Sequence, residues 1–285
     1  MKILALVTMA GSAALALGHA APAAAAHKAP AGASVERVGG HPNFSGIWSV
    51  MNTANWNIEP HLASAALELR PGPVVPVPAK AVVALGAVGS VPAGMGIVEG
   101  GTIPYTTQAL AQREENKQHY LERDPEVKCD LPGVPRANYM SMPFQIVQSA
   151  KTLLISYEYD GAVRDILFND PGPPPIDSWM GQSVGTWDGD TLVVTVTGQN
   201  DSTWFDRAGN FHSGDMKVVE RWTMLNENSI RYQAEITDPA TFTRPWKMSV
   251  LMYRRLAEDA RLQQFKCVEF VEELMYGDLR KEPLK

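Results

Sequence analysis

From about residue 146 onward the chain reads as one short β-prone run after another, each pair joined by a turn signal. Residues 153–159 lead into Asp160-Gly161 and return over 163–168. Residues 184–187, Asp188-Gly189-Asp190 and 191–197 make a second hairpin; 216–224, a polar turn at 226–228 and 230–237 make a third. A fourth pair is expected from 246–255 and 262–270, turning around Glu258-Asp259. Such runs with Asp-Gly or Asn-rich turns between them are the signature of consecutive antiparallel hairpins. They predict a mainly β chain rolled into an up-and-down barrel or a strongly curved sheet. No βαβ alternation and no glycine-rich phosphate loop is present, which argues against a dinucleotide or P-loop fold.

The other half is organised differently. Lys2, the apolar stretch 3–17 and Ala24-Ala25-Ala26 have the order of a secretory signal peptide, 1–26, with a small-residue cleavage site. Residues 27–40 are Ala/Gly-rich and are expected to be a disordered lead-in, so that 41–285 forms a single domain. Within it, 71–103 holds Pro, Val, Gly and Ala with almost no charge, and predicts an irregular wrap. Residues 107–121 predict a surface helix stopped before Asp124-Pro125, and 271–276 a short terminal one. The expected destination is the periplasm or the outside of the cell, with no membrane insertion after cleavage. There Cys129 and Cys267, the only two cysteines, are expected to form a disulfide. With 25 Lys+Arg against 31 Asp+Glu the formal charge is −6. That, and the lack of any basic run, argues against nucleic acid as a partner. The sequence leaves the oligomeric state open.

Two resemblances add to this. Gly46-Ile47-Trp48, near the start of an antiparallel β chain, resembles the G-x-W of the lipocalin/calycin superfamily. That resemblance implies a calycin-like barrel whose Trp plugs the closed end beneath an Arg from the last strands, here Arg254 or Arg255. Blocks at 42–48, 100–105, 128–148, 183–197, 203–213, 218–222, 238–246 and 266–277 resemble an uncharacterised family of exported bacterial proteins. This second resemblance implies a shared β-rich exported domain and brings with it no established activity.

The densest polar cluster is 200–213, a loop after a strand. It unites His212, the carboxylates Asp201 and Asp206, Asn200, and the rings of Trp204, Phe205 and Phe211. An imidazole titrating near neutrality suits general acid/base work, with Asp206 or Asp201 to orient it. The three rings suit an aromatic or apolar substrate. The bland alternative is an ordered loop whose Asp and Asn side chains hydrogen-bond its own backbone. On the first hairpin Glu158 and Arg164 form either a surface ion pair or, if they point inward, a substrate-binding pair. Tyr157 belongs to the face opposite Glu158. Glu220 and Arg221 are adjacent strand residues, so one faces in and the other out. Gly181-Gln182-Ser183-Val184-Gly185 spells a nucleophile elbow but lacks the strand–turn–helix context it needs. No His pair has zinc-ligand spacing, so neither metal nor cofactor is expected.

These readings converge on a cofactor-free lyase- or isomerase-type enzyme moving a proton on a small hydrophobic or aromatic molecule. His212 is the expected acid/base, Arg164 or Arg221 the oxyanion holder, and Trp204, Phe205, Phe211, Tyr157, Glu158 and Asn200 the substrate wall. The alternative is a periplasmic lipocalin-like carrier for a similar ligand. Sugar hydrolysis ranks below both, because no acid pair stands out. Both leading readings require a hollow barrel.

Overall fold

The computed structural model describes residues 35–65, 70–71 and 90–279. The expected signal segment, residues 27–34 and the part of the wrap at 72–89 lie outside the described residues. Strands β1 (Arg37–Val38) and β2 (His41–Pro42) pair with each other. Part of the expected disordered lead-in is therefore a small β ribbon. Gly39 and Gly40 turn it at positive φ, and Arg37 anchors it on Asp190 at 2.6 Å.

The nine strands that follow close into a barrel. They are β3 (Gly46–Val50), β4 (Phe144–Gln148), β5 (Leu153–Tyr157), β6 (Val163–Leu167), β7 (Gln182–Asp188), β8 (Thr191–Thr197), β9 (Lys217–Asn226), β10 (Ser229–Thr237) and β11 (Trp246–Arg254). They lie around the wall in chain order, and β11 pairs with β3 to close it. Three predicted hairpins form, as β5–β6, β7–β8 and β9–β10. The fourth does not. Residues 262–270 are not a strand, because the edge of β11 that they were to occupy is taken by β3 through Met252↔Val50 and Arg254↔Trp48. One pairing in the wall is parallel rather than antiparallel: β6 and β7, through Ile166↔Ser183 and Leu167↔Val184. A parallel neighbour needs a long return, here the proline-rich 168–181.

Period-two alternation sorts the wall. On β8, Leu192, Val194 and Val196 are buried and the residues between them are not. On β10, Ile230, Tyr232, Ala234 and Ile236 point in, while Arg231, Gln233, Glu235 and Thr237 face outward. The bore is therefore packed rather than hollow over one stretch. Phe44, Ile146, Leu153, Ile155, Ile166, Leu192, Val194 and Trp222 meet there, leaving a gap too narrow for a water molecule. Trp48 is fully buried, its indole N–H donating to the Phe44 carbonyl at 2.8 Å. The Arg254 guanidinium lies 4.3 Å above the indole and donates to the Ser45 carbonyl at 2.5 Å. Gly46, at φ +142°, has the Arg254 guanidinium where a Cβ would stand. A glycine is thus required two residues before the tryptophan.

Outside the barrel, α1 (Thr107–Gln118) starts at Thr106, whose hydroxyl accepts from the Ala109 N–H at 3.2 Å. α2 (Tyr120–Arg123) follows it and stops before Asp124-Pro125. α3 (Val271–Tyr276) lies near the C-terminus. Cys129 and Cys267 form the expected disulfide.

Candidate functional site

Three charged centres sit at different depths. The deepest is in the bore. Arg164 of β6 shares strand parity with Ala162 and Ile166, and Glu220 of β9 with Val218 and Trp222, so both face inward. Arg164 makes a two-pronged ion pair with Glu220, one prong at 3.1 Å, and its Nε donates to Ser183 Oγ at 2.7 Å. Glu220 also accepts from the Tyr232 hydroxyl and from Asn138 Nδ2, each at 2.8 Å. The Tyr157 hydroxyl donates to Asn138 Oδ1 at 2.7 Å, and burial pushes its pKa up to about 12. Pairing of this completeness is what a buried charge requires. Glu158 lies outside, accepting from the Gln263 N–H at 2.6 Å. The Glu158–Arg164 surface pair therefore does not form, since Arg164 on β6 points into the bore while Glu158, in the turn after β5, faces the Gln263 N–H. Arg221 also faces outward and pairs with Asp188 at 2.7 Å. It is on the wrong side of β9 to join Arg164. Ser183 is buried within β7, with a strand rather than a helix following it, which disposes of the nucleophile-elbow spelling.

The second centre is the loop 200–213. Phe205 N–H donates to the Asn210 carbonyl at 2.7 Å, and Trp204 and Phe211 bridge, making a tight turn. Asp206 organises it. It accepts from the backbone N–H groups of Ile58 (2.8 Å), Ala208 (2.9 Å) and Asn210 (3.2 Å) and from Asn210 Nδ2 (2.6 Å). Burial pushes its pKa up to about 6, although four N–H donors favour the charged form. Gly209, at φ +80°, lets the backbone of α1 approach where a Cβ would strike Arg113 and Lys117. His212 is buried. Its Nδ1 faces the Ser213 carbonyl at 2.8 Å and its Nε2 the Thr203 hydroxyl at 2.5 Å, and burial lowers its pKa. Neither Asp206 nor Asp201 is its hydrogen-bond partner. Asp206 is committed to the turn, and Asp201 is exposed. Phe205 is in the core beside Trp246, and Trp204 is buried. Phe211 borders an open hollow, with Thr106, Ala109 and Ser213. Asn200 caps the Ser202 N–H at 3.1 Å. The loop thus ties together α1, through Asn116, and the segment after β3, through Asn55 and Ile58, and its three rings do not form one stacking wall.

The third centre was not predicted. Turn residues Arg136–Asn138 send Asn138 into the bore and Arg136 the other way. Arg136 pairs with Asp124 at 2.7 Å and with Glu126 at 2.8 Å, and its Nε donates to Asn55 Oδ1 at 2.9 Å. Arg207 grips the two oxygens of Glu126 at 2.8 and 3.1 Å, donates to Glu272 Oε1 at 3.3 Å, and lies 4.5 Å from the Trp56 ring. Burial would raise the Glu126 carboxyl, but Arg207 and Arg136 hold it down at about 2. Beside this ladder is a groove of about 260 Å³. Leu121, Val127, Met142, Phe265 and Val271 make it mostly apolar, and Tyr159, Glu126, Arg207 and Glu272 add polar groups. One side of it is the strap after β11. The disulfide at Cys267, the Phe270 N–H on the Val127 carbonyl (2.7 Å) and Phe265 stacked on Tyr159 (5.6 Å) hold this strap down. The sequence signal for this site was thin: Asp124-Pro125-Glu126 and Arg136 flank a turn-rich crossing, and Arg207 lies within the polar loop.

Among the described residues no group of three or more His, Cys, Asp or Glu side chains is placed to hold a metal ion. No described helix is long and apolar enough to cross a membrane. Compared with protein-family models, with curated proteins and with solved structures, the chain finds no match.

Proposed function

We propose that this protein binds a small, mainly apolar molecule, as a carrier does, in the groove between the Arg207 ladder and the disulfide-held strap. The observation that carries this reading is the groove itself: an apolar concavity with a few fixed, charged groups converging at one side. That combination is the usual form of a ligand site. Its volume of about 260 Å³ lies just below the roughly 300–1,000 Å³ typical of such sites, so the ligand is small. An oxidising compartment outside the cytoplasm fits the disulfide.

Proton-transfer catalysis at His212, the expectation raised by the loop's composition, draws less support. Both ring nitrogens already have partners, and the bore is packed over the stretch around Trp222. The test is a calorimetric titration of the full chain with small aromatic and aliphatic molecules, alongside Met142→Trp, whose larger ring fills the groove. Binding that is lost in the variant, with the ligand recovered unchanged, is expected. Binding that survives Met142→Trp, or a ligand recovered chemically altered, would overturn the carrier reading.

A further inference from the structure

We infer that the groove selects an amphipathic amine, its ammonium directed at Glu272 and its apolar body laid along Leu121, Met142 and Phe265. This rests on the groove being the binding site and goes on to name the ligand's chemical class.

The ladder beside the groove contains three carboxylates, Asp124, Glu126 and Glu272, against two guanidinium groups, Arg136 and Arg207. Every nitrogen of both guanidiniums is already committed. Arg136 is spent on Asn55, Asp124 and Glu126, and Arg207 on Glu126 and Glu272. One negative charge is left without a balancing cation. It can be located: Glu272 Oε1 receives the long 3.3 Å contact from Arg207, and Glu272 Oε2 is shut off from bulk water with no hydrogen-bond partner. The other charged residues at the groove, Lys266 and Glu273, are exposed and of opposite sign.

Glu272 lines the groove with its side chain 23% exposed and one long 3.3 Å donor upon it; an ion brought to this carboxylate must be positive and carry N–H groups. An ammonium meets both conditions. A hydroxyl supplies a donor without the charge. A carboxylate supplies neither, and would find the arginines already occupied. The apolar residues along the groove then favour a hydrocarbon or aromatic body on the amine.

The experiment compares three ligands of one shape on the full, disulfide-bonded chain at neutral pH: 2-phenylethylamine, 2-phenylethanol and phenylacetate. Binding is read by calorimetry, in the wild type and in Glu272→Gln. The expected result is that the amine binds at least about tenfold more tightly than the alcohol, a charge-assisted preference. Added salt should weaken the amine and leave the alcohol unchanged. Glu272→Gln should bring the two ligands to within about twofold. The wild-type ligand comparison and its salt dependence need no variant, so they hold even if the substitution disturbs α3. If alcohol or carboxylate binds as tightly as the amine, the amine inference is overturned and the groove stands. If none of the three binds, both fall.

Discussion

Asp206 shows how far a residue's environment can move it from the role its type suggests. A carboxylate six residues from a histidine reads as that histidine's partner. In the fold it accepts four N–H groups and ties the loop 200–213 to Ile58 in the segment after β3. Its full burial makes it a source of pH dependence. With a pKa of about 6, against 3.8 for an ordinary Asp, the native state binds the proton more strongly than the unfolded chain. A raised acid contributes stability at low pH and loses it as pH rises between about 4 and about 6. The shift of about two units corresponds to about 3 kcal/mol. Denaturant unfolding of wild type and Asp206→Asn should show the wild type's relative stability falling by that order over this window. A difference that stays constant from pH 4 to 6 would contradict the assignment. The comparison must be made between the two proteins. His212, whose pKa is lowered by burial, tilts the wild-type curve the other way below about 6.5.

At the scale of elements, alternation explains what could be read in advance and what could not. Leu192, Val194 and Val196 repeat every second residue, so β8 and its hairpin were legible. So was the rule that one of Glu220 and Arg221 faces inward. Which one follows from the company each keeps: Glu220 shares a face with Val218 and Trp222. Residues 262–270 misled because a β-prone run does not reveal whether a sheet edge is free to receive it. Here β3, a strand some two hundred residues earlier, already occupied that edge. The run became a strap, fixed to Val127 and Cys129 rather than to a ladder of strand bonds. The barrel closes without it, so reducing the disulfide should release the strap and leave the wall intact. Limited proteolysis with and without reductant checks this. Faster cleavage within 255–279 and an intact remaining fragment is the expected pattern. Equal cleavage in both conditions, or loss of the barrel on reduction, would count against it.

For the molecule as a whole, the fold class was readable and the site was not. Consecutive hairpins announce a barrel, and Arg254 packs over Trp48 and against Gly46. The content of the bore depends on how strands from both halves of the chain interdigitate, which no local pattern reports. In the same way Asp124, Glu126, Arg136, Arg207 and Glu272 come from four separate stretches of chain and meet only after the barrel and its strap are in place. The bore is packed around Trp222, and the proposed ligand groove lies outside the wall. Methionines report on both locations: Met142 lines the groove, while Met248 and Met252 are buried within the barrel's core. Methyl NMR of protein labelled at the methionine ε-carbons, titrated with 2-phenylethylamine, separates the two. The expected result is that the Met142 signal shifts and the Met248 and Met252 signals stay in place. Shifts at Met248 and Met252 with Met142 unmoved would contradict it.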